Sequence, residues 1–240
     1  MFLINRFKDK LRDLTSLKRR LRRHQNRYIH RIIRHAGIDV VIDVGANYGQ
    51  TYFTLRENKF RGKVISFEPI PAAHEALEHY ARVDPDWTVA PRCVVGSDSG
   101  DVLVNVSEAS YMSSVLDLTP AMLAAHPRLR NTEKVQTPSV SLDDVYDTYC
   151  GENDEVFLKI DTQGYEREVV KGATRTLERI RGLQIELSLL PLYLGEETYL
   201  SFLNEFHAAG FEPHMMIENG FAKAWNRQRQ IDVIFMRSPL

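Results

Sequence analysis

Three carboxylates in this sequence each stand at the end of a short apolar run. Asp43 closes the first run, Glu68 follows the second and Asp161 follows the third. Such runs are typical of strands buried on both faces of a parallel sheet, whose carboxyl ends meet at one edge. We therefore expect the three acids to converge on one crevice. Carboxylates there can accept hydrogen bonds from hydroxyl groups, offset a positive charge or accept a proton.

The segment VIDVGANYG (residues 41–49) contains a turn of small residues directly after Asp43. Its small or turn-forming residues are Gly45, Ala46, Asn47 and Gly49. Glycine tolerates a left-handed backbone and lets another group approach closely, so these residues are predicted to contact a cofactor. Glu68 lies 19 residues after Gly49. It is predicted to bind a ribose diol, because an acid at about this distance does so in dinucleotide folds. The adjacent Pro69 is also predicted to contact the cofactor.

The glycine spacing separates two classes of cofactor. A turn that binds a pyrophosphate has Gly-x-Gly-x-x-Gly, whereas this chain has Gly45-x-x-x-Gly49. The missing first Gly-x-Gly disfavours NAD and FAD. It favours S-adenosylmethionine, which has no phosphate and whose amino and sulfonium groups suit the Asp43 carboxylate. A strand, a turn and a helix with a capping aspartate and no ligand form the alternative.

The stretch KIDTQGYE (residues 159–166) adds further candidates behind the third apolar run. Asp161 is predicted to help bind the cofactor and is the first candidate general base, with a helix N-cap as its alternative role. Glu186, near the end of the next strand, is the second candidate base. Lys159 precedes Asp161 by two residues and should point to the same face, where it can pair with Asp161 or with Glu186.

Short apolar runs alternate with helical patterns after the first 36 residues, which is typical of a doubly wound α/β fold. We predict a Rossmann-like fold with a mostly parallel seven-stranded sheet and helices on both faces. The predicted strands are 40–44, 64–67, 88–95, 156–160, 183–187, 213–217 and 231–236. The predicted helices are about 50–58, 71–82, 165–180 and 197–209.

The segment 97–150 interrupts this alternation. Valines at every second position from Val102 to Val106 predict a half-exposed strand, whereas residues 107–134 have little periodicity. A long irregular stretch inside a compact domain often forms a lid, so about 107–134 is the lid candidate. The residues predicted to line an acceptor pocket are Ser113 and Ser114 in this segment and Tyr193 after the fifth strand. Packing within the fold is the alternative role for these residues.

Charge is distributed unevenly along the chain. Residues 1–34 carry twelve Lys and Arg against two Asp, a net of +10, whereas the whole chain carries −1. Apolar residues recur in this arm at three- and four-residue spacings, which predicts a basic amphipathic helix over 1–36 ahead of one domain over 37–240. The helix is expected either to lie on the inner face of an anionic membrane or to pack on protein, including a second subunit in a homodimer. Aromatic residues are sparse in the arm, which argues against nucleic-acid binding.

Composition restricts the class of protein further. With 240 residues, 43% apolar and 26% charged, the chain is long enough for one substantial core. No run of about 18 apolar residues is present, and charged residues follow Phe2, Leu3 and Ile4, so neither a transmembrane helix nor a secretory signal is expected. The two cysteines, Cys93 and Cys150, form no disulfide framework and lack the neighbours of a zinc site. The expected compartment is therefore the cytoplasm.

Histidines and metal ligands give weaker signals. His214, beside the sixth predicted strand, is a candidate base, whereas His30 in the arm and His74 on a predicted helix are expected at the surface. Asp143 and Asp144 are predicted to start a helix rather than to bind a metal. Because no dense group of acids suggests a Mg²⁺ site, we expect that no metal is required.

Five motifs occur in the order and at the intervals of a known family. They are VIDVGANYGQ (41–50), VISFEPIP (64–71), SVSLDDV (139–145), KIDTQGYEREVVKGA (159–173) and LQIELS (183–188). Over about residues 38–236 the chain resembles the FkbM family of S-adenosylmethionine-dependent methyltransferases. The resemblance implies a class I methyltransferase fold. It also implies methyl transfer to hydroxyl oxygens of sugars, glycolipids, polysaccharides or macrolide natural products.

The resemblance also implies roles for individual residues. Asp43, Gly45 and Asn47 would line the methionine end of the cofactor. Glu68 would hold the ribose, and the turn at Ser97-Asp98 would neighbour the adenine.

One position departs from the family pattern, which usually has an acid where this chain has Gln163. The departure leaves open whether a second acid, or a metal bound by it, has a role here. The leading hypothesis is an S-adenosylmethionine-dependent O-methyltransferase acting on a small-molecule, glycan or glycolipid hydroxyl. The alternatives are an NAD-dependent or nucleotide-sugar oxidoreductase on a similar sheet, and a non-catalytic membrane-associated module.

Overall fold

A computed structural model describes residues 24–107, 110–130, 132–222 and 225–237. The first helix, α1, covers residues 24–35. The strands are β1 Val40–Val44, β2 Lys63–Phe67, β3 Trp87–Val89, β4 Val94–Val95, β5 Gly100–Ser107, β6 Thr132–Val140, β7 Val156–Ile160, β8 Gly182–Ser188, β9 Phe211–Ala222 and β10 Arg227–Arg237. The remaining helices are α2 Gln50–Glu57, α3 Pro71–Ala81, α4 Pro120–Ala125, α5 Leu142–Tyr149, α6 Glu166–Lys171, α7 Thr174–Arg179 and α8 Tyr199–Ala208.

Seven strands form the central sheet in the order β3-β2-β1-β7-β8-β10-β9. The first five pair in parallel, whereas β10 pairs antiparallel with both β8 and β9. Every residue of β1 is buried, as expected for a strand in the middle of a sheet that is covered on both faces. The predicted Rossmann-like fold with a mostly parallel seven-stranded sheet is therefore confirmed.

Two apolar cores lie on opposite faces of this sheet. Ile42 of β1 and Leu158 of β7 belong to one core, which also includes residues of α5 and α8. Val41 and Phe157, the preceding residues of the same two strands, belong to the other core together with residues of α1, α2 and α3. Side chains alternate between the faces of a strand, so each apolar run of the sequence supplies both cores at once.

The prediction of a single strand over 88–95 is wrong. β3 joins the edge of the main sheet, whereas β4 belongs to a second sheet of three strands in the order β4-β6-β5. β5 confirms the half-exposed strand predicted around Val102. β6 was not predicted, because the buried side chains on it, Thr137 and Ser139, are polar and give no apolar alternation.

The predicted helix over 165–180 is divided into α6 and α7. The division falls at Gly172 and Ala173, where the chain passes against the turn after β4. A Cβ at Gly172 would stand 1.9 Å from the backbone oxygen of Gly96, so only glycine allows this approach. The helical pattern of the sequence cannot indicate this contact, which exists only once the second sheet is in place.

The lid candidate at about 107–134 contains a helix that its weak periodicity did not indicate. The Thr119 side chain accepts a hydrogen bond from the Met122 amide and so caps α4. Met122 packs with Leu192 and Tyr193 in a third apolar cluster. The segment is thereby docked on the loop after β8, and its opening as a lid stays a prediction.

Helix α1 is the described part of the predicted basic arm, and residues 1–23 lie outside the described residues. Ile33 is buried, and Ile29 and Ile32 pack against the core beneath α2. For residues 24–35 the alternative of packing on protein therefore holds. The division of the chain at residue 36, membrane contact by the arm and a homodimer stay predictions.

None of the described helices has both the length and the apolar character that crossing a membrane requires.

Replacing Ile33 with alanine should lower the free energy of unfolding by about 2–5 kcal/mol, because the substitution leaves a cavity between α1 and the sheet. Arg34→Ala is the matched control, since that side chain is exposed on the same helix and its loss should change the free energy by less than about 0.5 kcal/mol. Urea unfolding followed by circular dichroism measures both. Equal losses in the two variants would contradict the docking of α1.

Candidate active site

Parallel pairing brings the ends of β2, β1 and β7 to one level. The last residue of β1, Val44, is paired with the last residue of each neighbouring strand. The residues that follow the three strands, Gly45, Glu68 and Asp161, are therefore neighbours at the carboxyl edge of the sheet. The sequence-based expectation that the acids after these strands converge agrees with this arrangement.

Gly45 is required where two turns meet at this edge. Its backbone is left-handed, with φ of 81°, and its amide donates a hydrogen bond of 3.0 Å to the Phe67 carbonyl. A Cβ at Gly45 would stand 2.0 Å from the backbone oxygen of Asp161. The glycine thus lets the turns after β1 and β7 touch, and it lines the cavity described below together with Ala46 and Asn47.

Glu68 is a buried carboxylate held by backbone amides. The Asn47 amide donates to its Oε2 over 2.6 Å, and the Ile70 amide donates to its Oε1 over 2.8 Å. Asn47 reaches this position through a left-handed backbone, with φ of 48°. Burial raises the pKa of Glu68 to about 7, although the two amides oppose the shift. Each carboxylate oxygen retains a lone pair with which it can accept a bond from a hydroxyl group.

An ammonium group lies between two carboxylates at the junction of β1 and β7. Lys159 Nζ is 3.3 Å from Asp43 Oδ1 and 3.3 Å from Asp161 Oδ2. Burial lowers the pKa of Lys159, but the surrounding carboxylates of Asp43, Asp161 and Asp232 outweigh it and raise the pKa above its usual value. The ammonium therefore stays charged. Of the two partners predicted for Lys159, Asp161 is found, and Asp43 takes the place of Glu186.

Asp43 and Asp161 differ in their exposure. Asp43 is fully buried, and its Oδ1 also accepts a 3.2 Å hydrogen bond from Thr51. Its Oδ2 is buried without a hydrogen-bond partner among the described residues. The Asp161 side chain is 32% exposed and lines the cavity. Asp43 thus has one buried acceptor oxygen without a partner, although the residue does not line the cavity. Asp161 lines the cavity and can contact a molecule there directly.

Glu186 lies close to Asp161 but is bound by amides. Gln163 Nε2 and Gln230 Nε2 donate to its Oε2 over 2.9 and 2.6 Å, and Asn219 Nδ2 donates to its Oε1 over 2.5 Å. Burial and the neighbouring carboxylate of Asp161 raise the pKa of Glu186. The second predicted base therefore belongs to a polar network at the same edge.

A cavity of about 910 Å³ follows the carboxyl edge from β2 to β9. Its β2 end is lined by Glu68, Pro69, Ile70, Cys93, Val94 and Val95. Its other end is lined by Gln184, Glu218, Asn219 and Asp232. Asn26 and His30 of α1 also line the cavity, although His30 was predicted to lie at the surface. No local signal could have related the arm to the sheet edge, because the contact depends on how α1 docks.

Four residues predicted to bind the cofactor do not line the cavity. Asp43 is buried and is paired with Lys159, which does line it. Gly49 starts α2 with φ of 84° and packs towards Trp87 and Leu77 rather than into the cavity. Ser97 and Asp98 hydrogen-bond to each other in the turn after β4 and do not line the cavity. The preceding residues 93–95 line the cavity instead. β4 belongs to the second sheet, so the turn that follows it does not lie at the carboxyl edge of the main sheet.

The residues predicted to bind the acceptor mainly fix the insertion. Ser114 donates a 2.6 Å hydrogen bond to the Gln163 carbonyl, and Ser113 accepts a 3.0 Å bond from the Ser107 amide. Both serines line the cavity, but their hydroxyl groups are already engaged. Tyr193 is 1% exposed, and its ring packs against Gly164. The alternative of packing within the fold describes these residues better than acceptor binding does.

The placement of His214 does not fit the predicted role of a base. The residue is exposed on β9 and does not line the cavity. It lies near the β10 position where the pairing register shifts, towards the amino end of β8 and away from the carboxyl edge. His74, expected at the surface, is buried with Nε2 2.8 Å from the Ala90 carbonyl oxygen.

Acids near the site also have structural roles. Glu166 is buried and accepts hydrogen bonds from the amide and the hydroxyl group of Thr162. The Ser141 side chain accepts from the Asp144 amide, which confirms the predicted start of α5. Within the described part of the chain, no three His, Cys, Asp or Glu side chains form a group that could hold a metal ion.

Comparison with known proteins gives a consistent result. The family model described as "Methyltransferase FkbM domain" matches residues 43–213. The hexuronic acid methyltransferase AglP of Haloferax volcanii is 28% identical over 154 residues, which cover 62% of this chain and 56% of AglP. The crystal structure of the methyltransferase FkbM from Methylobacillus flagellatus superimposes with a TM-score of 0.51 and 15% identity, covering 82% of this chain and 43% of that one. The chain thus spans about half the length of these two proteins.

The stability of the ligand-free protein should depend on Glu68 in a defined direction. Its folded pKa of about 7 exceeds the ordinary value of 4.5, so the folded state holds a proton that the unfolded state releases between these values. Stability contributed by protonated Glu68 is therefore present at low pH and is lost as the pH rises through about 7. In thermal unfolding, the midpoint of Glu68→Gln should rise relative to the midpoint of the wild type as the pH increases from about 5 to about 8.

Glu75→Gln is the control, because Glu75 is exposed on α3 and its replacement should leave the midpoint difference unchanged across the same range. A midpoint difference between wild type and Glu68→Gln that does not vary with pH would refute the raised pKa.

Proposed function

We propose, from the premise that this chain belongs to the FkbM methyltransferase family, that it is an S-adenosylmethionine-dependent O-methyltransferase acting on a sugar hydroxyl. The carrying observation is that Glu68, Lys159 and Asp161 line one cavity, and that the buried Asp43 is paired with Lys159. Glu68 supplies acceptors for two hydroxyl groups. Asp161 and Asp43 supply carboxylates that favour a positive charge nearby.

The residues at the β2 end suit S-adenosylmethionine. Glu68 is held by two backbone amides so that its free lone pairs can accept bonds from a ribose diol. Ile70, Cys93 and Val95 offer apolar walls for a flat base. Asp43 Oδ2, buried and unpaired, and Asp161 can accept from an amino group and lie where a sulfonium charge is favourable. When bound, this cofactor supplies an electrophilic methyl group.

The oxidoreductase alternative is disfavoured at the same turn. A pyrophosphate site needs several glycines whose amides face the phosphates, whereas Gly49 packs towards Trp87 and Leu77. The acidic groups beside Gly45 would repel phosphates. Membership of a methyltransferase family favours methyl transfer on independent grounds.

The acceptor is best placed at the β8–β10–β9 end of the cavity. Neighbouring strands are about 4.8 Å apart, so the five steps from β2 to β9 span about 24 Å. A cofactor held by Glu68 and Asp161 occupies the edge of β2, β1 and β7. The remaining lining, which includes Gln184, Asn219 and Asp232, is polar and suits a molecule with several hydroxyl groups.

The charge of this lining favours a hydroxyl acceptor over a carboxylate. Asp161, Asp232 and Glu218 line the cavity, and Lys159 is already paired with two carboxylates. An acceptor that carries a carboxylate would be repelled by these acids. AglP, by its name, methylates a hexuronic acid. We take from this relative only the sugar class of the acceptor, and the charge of the lining favours a hydroxyl group as the group that is methylated.

Asp161 is the group that can accept the acceptor's proton. It lines the cavity next to the turn of β1, and Lys159 keeps its carboxylate paired with a positive charge. A general base so placed contributes about 10²–10⁴-fold to a rate, and orientation of the reacting groups contributes about 7–11 kcal/mol. The chain's main contribution would be to hold a sugar oxygen in line with the methyl group.

Asp43→Asn and Glu68→Gln should each weaken S-adenosylmethionine binding by at least about 10-fold, because each removes a charged acceptor of the kind worth about 1.5–3 kcal/mol. Titration calorimetry on the full chain measures the affinity, with the exposed Glu75→Gln expected to bind like the wild type. A wild-type protein that binds no cofactor would exclude the proposed function and favour the non-catalytic alternative.

The acceptor class can be tested without knowing the acceptor. The protein is incubated with methyl-labelled S-adenosylmethionine and with neutral and acidic glycan and glycolipid fractions from the source organism. We expect label in the neutral fraction as an ether that survives alkali. Label that alkali releases would identify a methyl ester and would contradict hydroxyl methylation.

A further inference from the structure

One side-chain amide lies between the two acids at the centre of the cavity edge. Gln163 Nε2 donates to Asp161 Oδ1 over 2.8 Å and to Glu186 Oε2 over 2.9 Å. Both hydrogens of a single NH₂ group are therefore directed at carboxylates. An acid at this position, as the resembled family usually has, would instead bring three carboxylates within hydrogen-bonding distance of each other.

The surrounding structure fixes Gln163 in this orientation. Its backbone is left-handed, with φ of 58°, and its carbonyl accepts a 2.6 Å hydrogen bond from Ser114 of the insertion. The Tyr193 hydroxyl group lies 3.5 Å from Gln163 Oε1, where it can donate and so keep the amide oxygen away from the acids. The insertion thus fixes the Gln163 backbone, and the loop after β8 contacts its side-chain amide.

The groups that face the two carboxylates are mostly neutral donors. Asn219 and Gln230 donate to Glu186, and the Lys159 ammonium lies beside Asp161. The further charged groups near Glu186 are the acids Asp232 and Glu166 and the same Lys159. The further acids near Asp161 are Asp43 and Glu68. Without a donor between them, Asp161 and the buried Glu186 would repel each other, unless a proton or a metal cation lay between them.

We propose that Gln163 is a positioning residue whose amide takes the place of a cation between Asp161 and Glu186 and holds the two carboxylates together without a bound divalent metal. The proposal rests on the proposed function, because it explains how Asp161 is held where an acceptor hydroxyl group can reach it. Its structural content concerns only how two acids are held together. It can therefore be tested without the acceptor.

Gln163→Glu is the first test variant, and Gln50→Glu is its matched control. Gln50 also lines the cavity but is exposed at the start of α2, so it adds the same charge away from the two acids. We expect the unfolding midpoint of Gln163→Glu to fall more at about pH 8 than at about pH 6, and Mn²⁺ or Mg²⁺ to raise it again. The control and the wild type should respond neither to these cations nor to a chelator.

Gln163→Met keeps the test decisive if the first variant does not fold. It removes both donors without adding charge, so the two carboxylates repel each other when both are ionised. We expect its deficit in unfolding midpoint relative to the wild type to shrink as the pH falls from about 8 to about 5, since a protonated carboxyl group can then donate to its neighbour. A role in packing alone would give a deficit that is independent of pH.

Two results would overturn the proposal. Stabilisation of the wild type by Mn²⁺ or Mg²⁺, or its destabilisation by a chelator, would mean that a cation acts beside the amide. A pH-independent deficit in Gln163→Met would mean that the amide does not hold the acids together. Failure of the wild type to bind S-adenosylmethionine would instead refute the proposed function, and it would leave these midpoints interpretable.

Discussion

The site depends on the Lys159 ammonium between Asp43 and Asp161. A charge buried at the junction of two strands is costly unless it is paired, and here each carboxylate lies 3.3 Å from the ammonium nitrogen. Parallel pairing of β1 with β7 places Asp43 level with Lys159, so the ion pair forms across the sheet rather than along one strand. The ammonium thereby offsets the repulsion between two carboxylates that lie close together at the edge of the cavity.

The shape of the cavity follows from the way in which the sheet ends. Parallel strands β1, β2, β7 and β8 require crossover helices that cover their faces, but β10 and β9 form an antiparallel pair and need none. Polar groups on this pair, Asp232 and Asn219, therefore line the cavity rather than contact a helix. Helix α1 completes one wall, so a segment that the sequence suggested for a membrane contributes Asn26 and His30 to the candidate site.

Acids outnumber cations around this cavity, and neutral amides make that excess tolerable. Glu68 is held by backbone amides, and Glu186 is held by side-chain amides that include Gln163 and Asn219. Amides donate hydrogen bonds without adding charge, so the field of the site stays negative. A negative site suits a cationic sulfonium and a neutral sugar, which connects the electrostatics of the residues with the chemistry proposed for them.

The sequence by itself determined the sheet, the turn at Gly45 and the convergence of Glu68 and Asp161, because buried parallel strands carry their signal in local apolar runs and in the residue after each run. It did not determine the departure of β4 from the main sheet, the break at Gly172 or the positions of Ser97 and His214. Those features arise from contacts between segments far apart in the chain. Only the tertiary structure places the Gln163 amide between two acids, because Glu186 is 23 residues from Gln163 in the sequence.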